Sequence, residues 1–313
     1  MHTEAGIKQS ILDAVGKTPI IRLARYSDSV NCDVYAKLEN FNPGGSHKVR
    51  IAIGMILDAE QRGILQRGSG QTILEPSGGN TGIGLAIGAA LFGYKVLLVI
   101  PDNYSPDKQL ILRLYGAQVV LSDSSRGNNS HGEKAMEIQL QNPEYVMLNQ
   151  QRNQANPEIH RTNTSEEILS AFGDTRIDYF VGGIGTGGHI TGIGERLKQH
   201  WKDLEVIGVE PEGCDLLCDK HVYHEIQGLS VGVIPDTLNV GIIDQMVQVS
   251  KEECVDMVTR IMQTDAISLG ISSAANFVAI AKLVPKQIAP GSIVLTMVYD
   301  GVEQYLKYFE QSN

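Results

Sequence analysis

Residues 178–194 read "DYFVGGIGTGGHITGIG": an apolar run of strand length, a glycine-rich turn, and a helix-compatible segment that continues toward Lys198. Strand, glycine turn and helix in that order form the unit of a parallel sheet with helices on its faces, and such sheets present their chemistry at the carboxyl ends of strands. The same alternation repeats along the chain. Strands are expected at 72–76 (TILEP), 95–100 (KVLLVI), 117–122 (AQVVLS), 145–148 (YVML), 178–183 (DYFVGG), 205–210 (EVIGVE) and 292–298 (SIVLTMV). No internal repeat or low-complexity linker interrupts them, and polarity rises only near 149–160. The 313-residue length fits about two domains or one large α/β unit.

A formal charge of −10 argues against non-specific binding to nucleic acid or anionic membrane, since both need surplus Lys and Arg. The apolar stretch 82–101 imitates a membrane span, but Gly93, Tyr94 and Lys95 split it into a small-residue helix and a short strand. The N-terminus lacks an apolar core of signal-peptide length, and four cysteines (Cys32, Cys214, Cys218, Cys254) suit a reduced compartment, so a cytoplasmic protein is expected.

Several turns carry chemistry. In 182–194 the backbone N–H groups and a helix N-terminus make an anion cradle, and missing β-carbons let a phosphate approach. Gly183, Gly185 and Gly188 also satisfy G-x-G-x-x-G, with Glu210 at the distance of a ribose-binding acid, so a dinucleotide competes with smaller phosphate cofactors. The turn "EPSGGNTGIGLA" (75–86) gathers Ser77, Gly78, Gly79, Asn80 and Thr81, donors suited to a carboxylate, or alternatively an ordinary turn with a cap. In "SLGISSAAN" (268–276), Ser272 and Ser273 precede an alanine-rich helix. In "FNPGGSHKVR" (41–50), turn residues lead to Ser46 at an expected N-cap and to Lys48 in the first helical turn. There the helix dipole disfavours a cation, and a neutral lysine is a nucleophile. Cys214, Cys218, His221 and His224 read C-x3-C-x2-H-x2-H, but the histidines lie closer together than in structural zinc sites, so no metal is expected. Walker, G-x-S-x-G and H-E-x-x-H motifs are absent.

A Schiff-base lysine, a phosphate cradle, a carboxylate loop and a hydroxyl pair are together the parts that pyridoxal 5′-phosphate (PLP) needs to act on an amino acid. From "ILDAVGKTPIIRL" (11–23) to "DGVEQYL" (300–306) the chain resembles the cysteine synthase (O-acetylserine sulfhydrylase) and cystathionine β-synthase family of fold-type II PLP enzymes. This joint match covers every turn, whereas a dinucleotide explains one. The resemblance implies a two-domain α/β fold of the tryptophan synthase β type, with a larger cofactor-binding domain at 1–40 plus 150–313 and a smaller mobile domain at 41–149. It implies Lys48 as the lysine that bonds PLP, and Gly185, Thr186, Gly187, Gly188 and His189 as the phosphate loop. It also implies Ser272 as partner of the pyridine nitrogen and Asn80 facing the 3′-oxygen. Ser77, Gly78, Gly79, Asn80, Thr81 and Gln150 (in "NQQRNQANPEIH") would hold the substrate carboxylate, and Gly228 (in "IQGLSVGVIPD") would line the entrance. Family members are commonly homodimers.

The implied activity is β-replacement on an O-activated L-serine through an α-aminoacrylate, with O-acetylserine and sulfide giving L-cysteine. Alternatives within the class are a specialised β-substituted alanine synthase and a cysteine β-lyase releasing sulfide; outside it stands a non-catalytic PLP-binding regulatory protein. Gly78 (usually serine or threonine), His189 (usually threonine), His47 and Val49 (usually an apolar residue and Asp) and Ala274 (usually glycine) depart from the family pattern and suggest a specialised member.

Overall fold

The computed structural model describes residues 6–127, 129–230, 232–284 and 286–310. Its strands are β1 (Ile20–Arg22), β2 (Asp33–Leu38), β3 (Thr72–Glu75), β4 (Lys95–Pro101), β5 (Gln118–Ser122), β6 (Val146–Met147), β7 (Tyr179–Gly183), β8 (Glu205–Pro211), β9 (Gln245–Val249) and β10 (Ile293–Val298). The α-helices are α1 (Ala24–Val30), α2 (Lys48–Gln61), α3 (Asn80–Phe92), α4 (Pro106–Leu114), α5 (Ser130–Gln141), α6 (Ala155–Ile159), α7 (Ser165–Phe172), α8 (Gly188–His200), α9 (Lys251–Asp265) and α10 (Ile271–Leu283). The chain is thus α/β, as expected, and all seven expected strands form within two residues of their expected ends.

Two sheets result. One runs β1-β2-β10-β7-β8-β9 and the other β5-β4-β3-β6, and every pairing is parallel except β1 with β2. Strands β1, β2 and β9 escaped the sequence reading. β1 has only three residues, and β2 (DVYAKL) carries Lys37 at a position the fold buries completely. A lysine in a strand reads as solvent-facing; here its ammonium meets Glu167 Oε2 at 2.7 Å.

Helix α2 is where the two halves meet. Gly44 and Gly45 turn the chain at φ +77° and +72°, a region closed to most side chains, and Gly45 N donates to Asn42 O at 2.8 Å. The helix then starts at Lys48, one residue later than a Ser46 cap would place it. His47 occupies the N-cap position, and Ser46 Oγ accepts the Lys48 N–H at 3.3 Å. Two residues on, Arg50 is buried and forks both ways. Its Nε and Nη2 reach Glu39 Oε2 and Oε1 at 2.7 and 2.8 Å, while Nη1 and Nη2 reach Glu167 Oε1 and Oε2 at 2.7 and 2.8 Å. Thr18 Oγ1 and Asn42 Nδ2 complete the shell of Glu39 at 2.6 and 2.8 Å. These contacts fasten the first turn of α2 to the end of β2 and to α7.

Removing one member of a buried, hydrogen-bonded ion cluster strands its partners. Arg50→Ala is therefore expected to lower the free energy of unfolding by about 3–5 kcal/mol in urea titrations; a change below about 1 kcal/mol would show that water replaces the guanidinium freely.

Candidate active site

Two strand-to-helix turns and the turn between α9 and α10 lie near Lys48. The first joins β3 to α3, and Asn80 opens the helix behind Ser77-Gly78-Gly79. Thr81 Oγ1 donates to Gln150 Oε1 at 2.7 Å, so the loop and the 149–160 segment, far apart in sequence, form one wall. Glu75, buried at the end of β3, aligns that wall by accepting the backbone N–H groups of Asn149 and Gln150 at 2.9 and 3.0 Å. Burial raises its carboxyl, and those N–H donors oppose the rise.

The second turn joins β7 to α8 and presents Gly185-Thr186-Gly187-Gly188. A β-carbon on Gly185 would collide with the carbonyl oxygen of Gly228, so the entrance segment lies directly against this cradle. Thr186 Oγ1 accepts from Asn156 Nδ2 at 3.1 Å, and the same amide donates to Gln150 O at 2.7 Å. His189 turns its Nε2 to the Tyr299 hydroxyl at 2.9 Å, and that hydroxyl accepts Gly183 N–H at 2.8 Å. Glu210 accepts from Leu216 N at 2.8 Å and Gln248 Nε2 at 3.4 Å. Its carboxylate is spent on the loop after β8, which removes the ribose-binding acid of the dinucleotide alternative.

The third turn leads into α10 and separates two serines that look equivalent in sequence. Ser273 Oγ accepts Tyr299 N at 2.8 Å and ties α10 to the end of β10. Ser272, 5% exposed, makes no side-chain hydrogen bond among the described residues, and its Oγ lies 3.7 Å from the position of a β-carbon on Gly228.

Lys48 sits among these groups without an ion-pair partner among the described residues. Burial holds its ammonium down, to about 8, and the carboxylate of Asp300 partly opposes that fall. Asp300 follows β10, is 1% exposed, and accepts from Asn80 Nδ2 at 2.7 Å and the Tyr305 hydroxyl at 2.6 Å through Oδ2, leaving Oδ1 without a partner among the described residues. Beneath the lysine lie His47, His160 and His189, all buried, with His47 ring centroids 6.0 and 5.7 Å from the other two. Burial, with the nearby Lys48 charge, keeps His47 and His189 neutral, His189 down at about 3. Neither ring nitrogen of His47 finds a partner among the described residues. A fully desolvated imidazole of this kind costs about 1–3 kcal/mol per unmet group, so this floor of the site is built at a loss to the apo fold.

Sequence reading missed Asp300, Glu75, Asn156 and Lys108. Glu75, Asn156 and Asp300 stood inside quoted motifs, but nothing in the residue pattern alone told which polar side chain faces inward. Lys108 on α4 crosses the mouth to Gln227 Oε1 at 3.2 Å, with its ammonium 5.5 and 5.4 Å from the Tyr104 and Tyr305 ring centres. Gly78, one of the departures from the family pattern, is forced: a β-carbon there would strike Ile100 Cγ2 and come within 3.1 Å of Tyr104 Cε1.

The pyridoxal-phosphate dependent enzymes match this chain over residues 11–300. The cysteine synthase of Staphylococcus aureus is 39% identical over 299 residues, spanning 95% of each chain. Among solved structures, O-ureido-L-serine synthase superposes with a TM-score of 0.93 at 35% identity, covering 98% of this chain and 97% of that one. O-acetyl serine sulfhydrylase isoform 3 of Entamoeba histolytica gives 0.93 at 32% identity, covering 100% and 94%.

The depressed lysine gives a direct expectation. Competitive acetylation read by mass spectrometry should show the Lys48 amine of apo-protein gaining reactivity as pH rises through about 8, and Asp300→Asn should move that midpoint lower, because it removes the charge that holds the proton on. A midpoint at the ordinary lysine value of about 10.4 would mean that the amine is solvated.

Proposed function

Because the chain belongs to the pyridoxal-phosphate dependent enzymes, we propose that it catalyses β-replacement on an O-activated L-serine, with O-acetylserine and sulfide giving L-cysteine as its leading reaction. The observation that carries the reading is Lys48: an amine with a lowered proton affinity and no ion-pair partner among the described residues, in a fold that also presents a glycine cradle, a carboxylate-sized loop and an unengaged buried hydroxyl. Those unmet groups fit PLP. The N–H groups from Gly185 to His189, with Thr186, would hold its phosphate, and Ser272 Oγ would face the ring nitrogen. Since His189 Nε2 is bonded to Tyr299, its contribution to the phosphate would run through its backbone.

Bound PLP supplies a carbonyl that takes up the substrate amine and a ring that withdraws electrons from the α-carbon. The protein does the rest. Ser77, Gly78, Gly79, Thr81 and Gln150 orient the substrate carboxylate at the N-terminus of α3, which favours an anion. Lys48 Nζ, its proton affinity lowered by burial, takes the α-proton. Asn80, fixed by Asp300 and by Gln304 Nε2 at 2.8 Å, would face the 3′-oxygen of the cofactor. Ser272 would offer the ring nitrogen a neutral hydroxyl and no charge. Gly228 and the Lys108–Gln227 contact close the mouth against water.

Closure would move a smaller domain, 41–149, against a larger one, 1–40 plus 150–313; each sheet drawing its strands from one of these ranges supports the division. Homodimer assembly and a cytoplasmic location belong to the same proposal. No helix among the described residues is long and apolar enough to cross a membrane.

Lys108 favours a second reading, a synthase of another β-substituted alanine whose leaving group or nucleophile is anionic. Its ammonium is half-buried between two tyrosines at the mouth, with no carboxylate partner within ion-pair distance among the described residues. The likeness to an O-ureido-L-serine synthase agrees with such specialisation.

Purified holoenzyme given O-acetylserine and sulfide should form cysteine, and Lys48→Ala should lose about 10²–10⁴-fold or more in rate. Cysteine formation that survives Lys48→Ala refutes the assignment. Lys108→Ala should lower kcat/KM about tenfold more for O-phosphoserine than for O-acetylserine; equal effects on both refute the anionic reading.

A further inference from the structure

On the far side of the entrance segment, Cys214, His221 and His224 each turn one ligand atom inward, and these atoms all lie within 4.8 Å of one another. We propose that they form a binding site for a zinc(II) ion, with a fourth position open to solvent. The short histidine spacing that argued against a metal is not the relevant geometry, because the chain between 220 and 230 carries no regular element and folds both rings back toward the end of β8.

Each ligand is prepared differently. Cys214 is buried, and its backbone is fixed at the end of β8: its N–H donates to Pro211 O at 3.1 Å and its carbonyl accepts from Gln248 Nε2. Its Sγ faces His221 Nδ1 at 4.0 Å. His224 bonds through Nε2 to Ser230 O at 3.2 Å, which leaves Nδ1 as the nitrogen with a free lone pair, and that buried Nδ1 has no partner among the described residues. Metal-bound histidines are held in this way, with the far ring nitrogen donating to a carbonyl that fixes the tautomer. His221 is exposed, its ring 5.6 Å from that of His224, so water can reach the open position. Cys218 is not a ligand. Its hydrogen bond with Asp215, and the charge of that carboxylate, hold its thiol up and keep it protonated.

Tetrahedral zinc, with bonds of about 2.3 Å to sulfur and about 2.0 Å to nitrogen, would place sulfur and nitrogen about 3.6 Å apart. The histidine arm has to draw in by roughly 1 Å, and the Cys214 proton leaves to solvent on binding. The arm leads to the reaction mouth. Ser230, which anchors His224, donates its N–H to Ile184 O at 2.7 Å beside the phosphate cradle, and Gly228 lies two residues earlier. A bound ion would therefore pin the segment that packs on Gly185.

The test is zinc(II) alone added to purified holoenzyme against a chromophoric chelator, with cobalt(II) as spectroscopic probe. One equivalent should bind. Cobalt should give tetrahedral visible bands with thiolate charge transfer, and Cys214→Ser should abolish the charge transfer. Cys214→Ser and His221→Ala should each weaken binding by about 10²-fold, at or beyond the upper end of what loss of an outer-shell partner costs. His221 is at the surface, so its variant keeps the test open if Cys214→Ser fails to fold. Cys218→Ser should bind normally. Absence of stoichiometric binding, equal affinity in the wild type and the His221 variant, or loss of binding in Cys218→Ser alone would each overturn the site.

Discussion

The double fork of Arg50 onto Glu39 and Glu167 holds this structure's chemistry in place. It lies two residues beyond Lys48, so the clamp that locks the first turn of α2 onto the six-stranded half also fixes the direction from which the lysine enters the site. Burying an arginine between two carboxylates is favourable only with good geometry, and here Nε and both Nη atoms each donate to a carboxylate oxygen. The same cluster draws Glu167 down to about 2, with Arg50 and Lys37 overcoming the opposing effect of burial. A carboxyl so depressed contributes stability that is present above its unfolded value and fades as pH falls toward 2.

Around that fixed lysine the structure leaves polar groups unmet. Among the described residues, both nitrogens of His47 and Oδ1 of Asp300 lack partners, and neither the Lys48 ammonium nor the Ser272 hydroxyl makes a side-chain hydrogen bond. Glycines at 185 and 228 bring two backbones into contact there, so the cradle has no side chain with which to fill itself. In the proposed reading a cofactor's carbonyl would answer Lys48, its ring nitrogen would answer Ser272, and its phosphate would take the N–H groups of the cradle.

The strands that flank the site were legible because a parallel sheet buried on both faces writes itself as apolar runs ending in glycine. The loops were legible because close backbone approach needs glycine. What stayed hidden depends on direction. Lys37 reads as a solvent residue until the fold brings Glu167 to it; Glu75 reads as a strand end until it is seen holding residues 149 and 150. Ser272 and Ser273 are adjacent, and only helix phase separates the free hydroxyl from the structural one. Glu210 was misleading for the converse reason: its spacing suits a ribose, but its oxygens are occupied by Leu216 and Gln248.

The central claim is that Lys48, among 26 lysines and arginines, is the side chain that bonds the cofactor. Borohydride reduction of the PLP-loaded protein makes a carbonyl–amine bond permanent, and peptide mass spectrometry then locates it. The account predicts the pyridoxyl group on the peptide containing Lys48 and on no other; a label on a different lysine, or none in protein that retains bound PLP, would contradict it.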